Sequence, residues 1–329
     1  MKRFIALLAV ASFFTGSFSL LAEELRIGMI GLDTSHVVAF TRTYNDKNDK
    51  NHIPGGKVVA AFKGGSPDIP SSANRIDGFT KTLQEQYGVK IVDTIEELCE
   101  LVDVVMLESV DGRPHLEQAR PVIKAGKPLY IDKPLAGSLR DAIEIFRLAR
   151  EHNVPVFSCS SLRYWPTVQA MKNGKFGELK GVISAGPATL EPTHPDLFWY
   201  GIHSTEALFT VMGTGCESVV ATVTKDTHVV TGTWKDGKVG TLYGIRNAAA
   251  PYRMTVFGTK AVLDDKMAGD YTPMLQVAMK FFQTGEVPIS PEETIEIFAF
   301  MEAADESKRR GGCPVKISEV IAKATAAVQ

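Results

Sequence analysis

The sequence predicts an α/β chain: a doubly wound parallel sheet in the N-terminal half, then an α+β domain built on a largely antiparallel open sheet. Three observations point there. From Leu25 to about residue 158, short apolar runs alternate with amphipathic stretches, the pattern of βαβ units. After about residue 160 the runs grow longer and rich in Thr and Val, and Lys235-Asp236-Gly237-Lys238 joins two of them as a hairpin in which both central residues take positive φ. A chain of 329 residues has room for two domains, each with its own core.

The first residues stand apart from that pattern. Met1-Lys2-Arg3 precedes an apolar run from Phe4 to Phe14, then small residues and Ala22-Glu23-Glu24, which reads as a secretory signal over residues 1–22. The run is shorter than the about 20 residues a bilayer span needs. Cleavage is placed after Ala22, with Ser19 as a rival site. No Cys follows for a lipid anchor, and one Lys-Arg pair is not a twin-arginine signal. The expectation is an exported, periplasmic protein, free of the membrane after cleavage, with domains at 23–158 and 159–329.

Candidate strands of the first domain are Leu25–Gly31, Lys57–Phe62, Val89–Val92, Val102–Leu107, Pro128–Ile131 and Val154–Ser158. Thr94-x-x-Glu97 and Ser138-x-x-Asp141 are capping-box patterns opening helices between them. The second of these helices carries Leu139, Ala142, Ile143, Phe146 and Ala149 on one face and ends near Asn153. In the second domain strands are expected at Lys180–Ala185, Ser218–Thr224, Val229–Trp234, Val239–Gly244 and Tyr252–Phe257. Two helices close the chain: Thr272–Gln283, and one introduced by Ser290-Pro291-x-Glu293 and ended by Gly311-Gly312.

Composition removes some functions. Lys and Arg number 36 against 38 Asp and Glu, a net charge of −2 that becomes −4 once Lys2 and Arg3 leave, so no basic excess is available for nucleic acid. The four cysteines, Cys99, Cys159, Cys216 and Cys313, show no CxxC or metal-ligand spacing and read as buried free thiols. Pro192 and Pro195 make an extended loop of the segment holding Glu191, His194 and Asp196, so no metal site is expected.

Arg26-Ile-Gly-Met-Ile-Gly31-Leu-Asp33-Thr34-Ser35-His36 stands where a Rossmann-like fold places its glycine fingerprint. The three glycine positions read Gly31, Asp33 and His36, so only the turn glycine remains. Asp33 is positioned to cap the helix and to hold the end of its dipole that otherwise attracts phosphate. Where the second strand of an NAD enzyme ends in Asp or Glu, Lys63 stands, which suits a 2′-phosphate or no such cofactor. Gly31, Asp33, Thr34, Ser35, His36 and Lys63 are the candidate cofactor contacts.

The string Ala125-Gly-Lys-Pro-Leu-Tyr-Ile-Asp132-Lys133-Pro134-Leu-Ala resembles the Gfo/Idh/MocA oxidoreductase family, which includes glucose-fructose oxidoreductase and inositol dehydrogenase and carries Glu-Lys-Pro after its fifth strand. The resemblance takes in His115 and Leu162-Arg163-Tyr164 and extends over nearly the whole mature chain. It implies that Lys133 contacts substrate hydroxyl and nicotinamide, with His115 beside the cofactor. Trp199-Tyr200-Gly201-Ile202-His203-Ser-Thr-Glu206 resembles the family's Asp-x-Gly-x-His-x-x-Asp, which makes His203 the general acid-base, and Glu206, one helical turn on, could orient it. Trp199 replaces the family's first Asp and offers a face for a sugar ring. Arg163, Tyr164, Trp199 and Tyr200 are the candidate substrate contacts, followed by Trp165 and Arg246.

Three readings follow. The resemblance implies a sugar or polyol oxidoreductase using NAD or NADP, with the family's exposed second sheet serving as a homo-oligomer interface. A cofactor-independent lyase or hydrolase on a keto-sugar keeps the Lys133 and His203 pair without any cofactor. A non-catalytic sugar-binding protein is the third. Export through the membrane as an unfolded chain, into a compartment holding little free nicotinamide cofactor, weighs against the first.

Overall fold

The computed structural model describes residues 24–328, so the signal expected at residues 1–22 lies outside the described residues. The first domain is a six-stranded parallel sheet of β1 (Leu25–Ile30), β2 (Gly56–Phe62), β3 (Lys90–Val92), β4 (Val104–Leu107), β5 (Leu129–Asp132) and β6 (Val156–Cys159) in the order β3-β2-β1-β4-β5-β6. Between the strands run α1 (Ser35–Asn45), α2 (Pro70–Ala73), α3 (Ile76–Tyr87), α4 (Ile95–Leu101), α5 (His115–Lys124) and α6 (Leu139–Glu151). Every residue of β4, β5 and β6 is buried, as expected of parallel strands covered on both faces. The strand order reverses between β1 and β4. That reversal leaves a crevice at their carboxyl ends, the place where doubly wound folds bind ligands.

Local side-chain chemistry sets the helix starts. Thr94 Oγ1 accepts from Glu97 N at 3.1 Å, and Ser138 Oγ from Asp141 N at 3.1 Å. Glu97 bonds back to the amide of Asp93 at 3.1 Å rather than to the cap residue. The cap of α1 is Thr34, which accepts from His36 N at 3.4 Å; Asp33 does not cap this helix, contrary to the sequence expectation.

A 3-10 turn at Ser161–Tyr164 leads into α7 (Pro166–Lys172), β7 (Leu179–Pro187), α8 (Ile202–Met212), β8 (Cys216–Val223), β9 (Thr227–Trp234), β10 (Val239–Ile245), β11 (Arg253–Gly258) and β12 (Val262–Lys266). After these come α9 (Thr272–Thr284), α10 (Pro291–Arg309), β13 (Val315–Lys316) and α11 (Ile317–Ala326). The second sheet runs β12-β11-β7-β10-β9-β8-β13 and is antiparallel except for β7 beside β10. The β9–β10 turn differs from the expected form. Only Gly237 has positive φ (81°), with Gly237 N bonded to Trp234 O at 2.8 Å and Trp234 N to Lys238 O at 2.9 Å, which is a three-residue loop closed by a glycine bulge.

Three helices rather than two end the chain, α11 being the addition. The first of them crosses back to the other domain: Met274, Leu275 and Phe281 of α9 pack with Ile27, Met29 and Phe40, and Tyr44 OH donates to Leu275 O at 2.9 Å. The C-terminal half therefore supplies part of the first sheet's cover. All four cysteines are free; Cys99, Cys159 and Cys216 are buried as expected, whereas Cys313, past the end of α10, is exposed. Among the described residues no helix is long and apolar enough to cross a membrane.

Candidate active site

A cleft of about 560 Å³ lies over the carboxyl ends of the first sheet's strands, between the two domains. Its first-domain wall is Thr34, Ser35 and His36 at the start of α1, Ser71 and Arg75 around α2, Val110 after β4 and Lys133 after β5. The opposite wall is aromatic, with Trp165, Trp199, Tyr200, Tyr252 and Tyr271, and holds His203 in the first turn of α8.

Lys133 follows β5 directly, half-buried, and its peptide bond to Pro134 is cis. Among the described residues no carboxylate pairs with its ammonium, because its neighbour Asp132 is taken by His36, with Nδ1 2.7 Å from Asp132 Oδ2. The cation is thus left for the cleft. His203 is 8% exposed, with Nδ1 2.7 Å from Ser160 Oγ. Burial, reinforced by the Lys133 charge, pushes its pKa well below the usual histidine value, so the imidazole is neutral at neutral pH. With Nδ1 engaged by Ser160, Nε2 is the nitrogen left to meet a substrate. Tyr200 and Tyr252 flank the ring with centroids at 5.2 and 6.0 Å.

Several expected site residues act elsewhere. Glu206 does not orient His203: its carboxylate accepts from Arg163 Nε at 2.5 Å, and Arg163 NH2 lies 2.6 Å from Glu293. Ser160 holds His203 instead. Arg163 itself is 6% exposed and locked between those carboxylates, so it is not a substrate contact. Tyr164 packs against the core under the first sheet, and the next residue, Trp165, takes the place in the wall that Tyr164 was expected to hold. Trp199 and Tyr200 do face the cleft.

The crevice between β1 and β4 is closed by the protein's own side chains. Gly31 has φ +84°, and a Cβ there would sit 2.2 Å from Ser109 Oγ, so this glycine serves the packing of two loops. Asp33 is fully buried; Oδ1 accepts from Val110 N at 3.0 Å and Oδ2 from Ser72 Oγ at 2.6 Å. Ser66 donates to Asp111 Oδ2 at 2.6 Å, Arg113 bridges Asp111 and Asp68, and His194 Nε2 is 3.0 Å from Asp111 Oδ1. Burial alone would raise the pKa of Asp111, yet bonds from His194, Arg113 and Ser66 override it and hold the carboxyl far below its ordinary value. His115 is fully buried between the carbonyls of Ser109 and Leu135, and Lys63 pairs with Asp77 at 2.6 Å.

Of the expected cofactor contacts, Thr34, Ser35, His36 and Lys133 reach the cleft, whereas Gly31, Asp33, Lys63 and His115 do not. A dinucleotide lying across this crevice does not fit these residues. The position that needs a bare backbone carries a buried, doubly bonded carboxylate, and the loops after β2 and β4 are stitched together over it. The sequence reading also passed over Ser160, Arg75, Tyr252, Tyr271 and Glu108. Only Glu108 carried a signal, as a carboxylate closing the apolar strand Val-Val-Met-Leu.

Residues 25–159 match the Gfo/Idh/MocA family model, described as an oxidoreductase family with an NAD-binding Rossmann fold. No protein of curated function matches the chain. Among solved structures, a probable dehydrogenase from Thermotoga maritima is 22% identical with a TM-score of 0.73, covering 90% of this chain and 100% of that one. The scyllo-inositol dehydrogenase of Lactobacillus casei, solved with NAD(H) and scyllo-inositol, is 16% identical with a TM-score of 0.71 over 90% of this chain and 100% of that one. An oxidoreductase from Agrobacterium radiobacter, solved with NAD+, L-tartaric acid and magnesium, is 17% identical with a TM-score of 0.70 over 90% and 99%. At these identities the structures share the fold. The family match thus covers the N-terminal domain, and the solved structures extend the shared fold over the rest of the chain.

Proposed function

We propose that the protein is a Gfo/Idh/MocA-type enzyme acting on a sugar or polyol, with Lys133 and His203 as its acid-base pair. The observation that carries this reading is a lysine with no carboxylate partner facing the same aromatic-walled cleft as a buried neutral histidine. Trp165, Trp199 and Tyr200 offer apolar ring faces to the C–H side of a sugar, and the polar tips of Trp199 and Tyr200 offer hydrogen bonds to its hydroxyls. His203 is the base. Lys133 donates to the substrate oxygen on which negative charge develops.

The bridged crevice favours a reaction that needs no dinucleotide. On a keto-sugar, His203 takes the proton α to the carbonyl and the C–H electron pair forms an enolate whose oxygen is held by Lys133. The enolate then re-forms the carbonyl as a carbon–carbon double bond appears and the β C–O bond breaks, its electron pair leaving with the departing oxygen, which takes up a proton. A second reading, nicotinamide-dependent oxidation of the same sugar, is favoured by the family match and requires the Asp33–Val110 and Ser66–Asp111 bridges to open.

Export to the periplasm, with residues 1–22 removed, suits the first reading because that compartment holds little free nicotinamide cofactor. A homo-oligomer is part of the proposal: Ile183, Val239, Tyr243, Phe257 and Val262 leave the second sheet with an exposed apolar face. The test incubates the mature protein with a panel of sugars and 3-keto-sugars, with and without NAD, NADH, NADP and NADPH, and follows products by mass spectrometry. The expected result is product without added dinucleotide, lost in Lys133→Ala and His203→Ala. Turnover that depends on NAD(P) replaces this reaction with the second reading, and sugar binding without product in any mixture overturns catalysis.

A further inference from the structure

Beneath the cleft, three side chains from three different strand ends converge. His36 comes from the first turn of α1, Glu108 directly follows β4 and Asp132 ends β5; their nearest ligand atoms all lie within 4.8 Å of one another. His36 Nδ1 is 2.7 Å from Asp132 Oδ2 and 4.0 Å from Glu108 Oε2. Glu108 is fully buried, and neither of its carboxylate oxygens has a hydrogen-bond partner. Among the described residues no Lys or Arg nitrogen lies within 4.0 Å of either carboxylate. A buried carboxylate persists when it is paired, hydrogen-bonded, protonated or bound to a metal; Glu108 has no hydrogen bond among the described residues, and its ion-pair contact is the 4.0 Å approach of His36.

We propose that His36, Glu108 and Asp132 bind a divalent first-row transition-metal ion. One imidazole and two carboxylates form a donor set suited to Zn²⁺ or Mn²⁺, while the nitrogen disfavours Ca²⁺ and Mg²⁺. Three protein ligands leave further coordination positions toward the cleft, as in zinc sites that react with substrate. The ion enters past His36, whose side chain is 14% exposed and lines the cleft. Phe40, stacked at 5.1 Å, and Tyr271, edge-on at 4.9 Å, fix the imidazole. Coordination separates His36 from Asp132 and draws Glu108 in, since donors about 2.0–2.2 Å from one tetrahedral ion sit roughly 3.3–3.5 Å apart.

The neighbouring ammonium of Lys133 opposes a cation, but two carboxylates outweigh it. Asp196, His228 and Asp305 form a second convergent group of the same residue types. Arg246 and Lys308 already lie 3.1 and 2.8 Å from Asp196, so that group has its cations. The metal proposal is independent of the reaction assigned to Lys133 and His203, and each can fail alone.

The test uses chelator-treated mature protein titrated with Zn²⁺, Mn²⁺ and Mg²⁺, read by native mass spectrometry, calorimetry, Mn²⁺ EPR and thermal melts. The expected result is one ion per chain, Zn²⁺ or Mn²⁺ bound at least about 10-fold more tightly than Mg²⁺, and a melting temperature raised by about 5 °C at a 100-fold excess over Kd. Glu108→Gln and His36→Ala lose on the order of 100-fold or more in affinity. Glu108→Gln keeps the shape of the side chain and removes the unpaired charge, so its metal-free form melts at or above the metal-free wild type. Wild type that binds no ion at millimolar Zn²⁺ or Mn²⁺ overturns the proposal and makes Glu108 a protonated carboxyl. Binding that survives both substitutions overturns it as well, by placing the ion elsewhere.

Discussion

The crevice between β1 and β4 and the cleft over β5 are neighbours built by the same strand ends, and they differ in who satisfies their polar groups. In the crevice Asp33 and Asp111 are buried, and each takes its donors from the protein itself: Val110 and Ser72 for one, Ser66 and Arg113 for the other. Among the described residues, Lys133 in the cleft has no carboxylate partner, Trp165 Nε1 has no acceptor, and Glu108 just beneath has no donor. Topology creates both openings. On the proposed reading, the unmet hydrogen bonds mark the cleft as the opening that takes a ligand, because a buried polar group without a partner is costly unless something else supplies it.

The sharpest way to break this comparison is to empty the cleft. Lys133→Ala and His203→Ala each lower turnover on a keto-sugar by about 10²–10⁴-fold, the usual worth of a positioned acid or base. Lys133→Ala leaves the melting temperature close to wild type, since the ammonium holds no internal ion pair. Steady-state kinetics and circular-dichroism melts on the same preparations check both halves. Unchanged turnover would move the chemistry out of the cleft.

Arg163 separates structure from recognition. Buried against Glu206 and Glu293, it leaves two carboxylates unpaired when removed, so Arg163→Ala costs about 3–5 kcal/mol of unfolding free energy in urea titrations. A substrate contact behaves differently. It would raise KM and leave the denaturation midpoint in place.

These assignments show where the sequence stops being legible. The parallel sheet, the antiparallel sheet and the caps at Thr94, Ser138 and Ser290 follow from hydrophobic period and local hydrogen bonding, which act over a few residues and are visible in the string. That Lys133 and His203 line one cleft was legible through the family motifs around them. The roles of Glu206 and Arg163 were not, because the two stand 43 residues apart in the sequence, and only the packing of α10 brings Glu293 to complete an ion triad with them. Tyr252 and Tyr271 reach the cleft from segments far along the chain, and nothing local marks them. Asp33 was read as a helix cap because its neighbours in sequence are a helix start. Its true partners, Ser72 and Val110, are 39 and 77 residues away.

Restoring a glycine at the second fingerprint position probes the crevice itself. Asp33→Gly removes two hydrogen bonds to a buried carboxylate and costs about 2–3 kcal/mol in chemical denaturation. It gains no dinucleotide binding, because Ser66–Asp111 and the Arg113 bridge still close the opening. Micromolar NAD or NADP binding by this variant, measured by calorimetry, would show that Asp33 alone holds the crevice shut and would favour the oxidoreductase reading.

The smallest expected effect extends the same rule to the second domain, where α10 packs on the second sheet. Asp196 there has Arg246 and Lys308, while Asp305 beside it has an unpartnered Oδ1 and a pKa pushed up to about 7, first by burial and then by Asp196 and Glu302. Its folded pKa exceeds its unfolded value, so between about pH 4 and 7 the unfolded chain releases this proton first, and stability falls as pH rises through that window. His203, with its pKa lowered, and His228, lowered to about 4 by burial, work in the opposite sense: the unfolded state binds their protons first, and stability falls as pH drops below about 6.5. Asp305→Asn removes only the first effect. The variant's advantage over wild type is larger at pH 8 than at pH 4.5 by at least about 1 kcal/mol, because between those values the unfolded carboxyl is ionised while the folded one must lose its proton in a buried site. Urea titrations at the two pH values decide it, because a gain of equal size at both would come from packing and not from the unpaired charge.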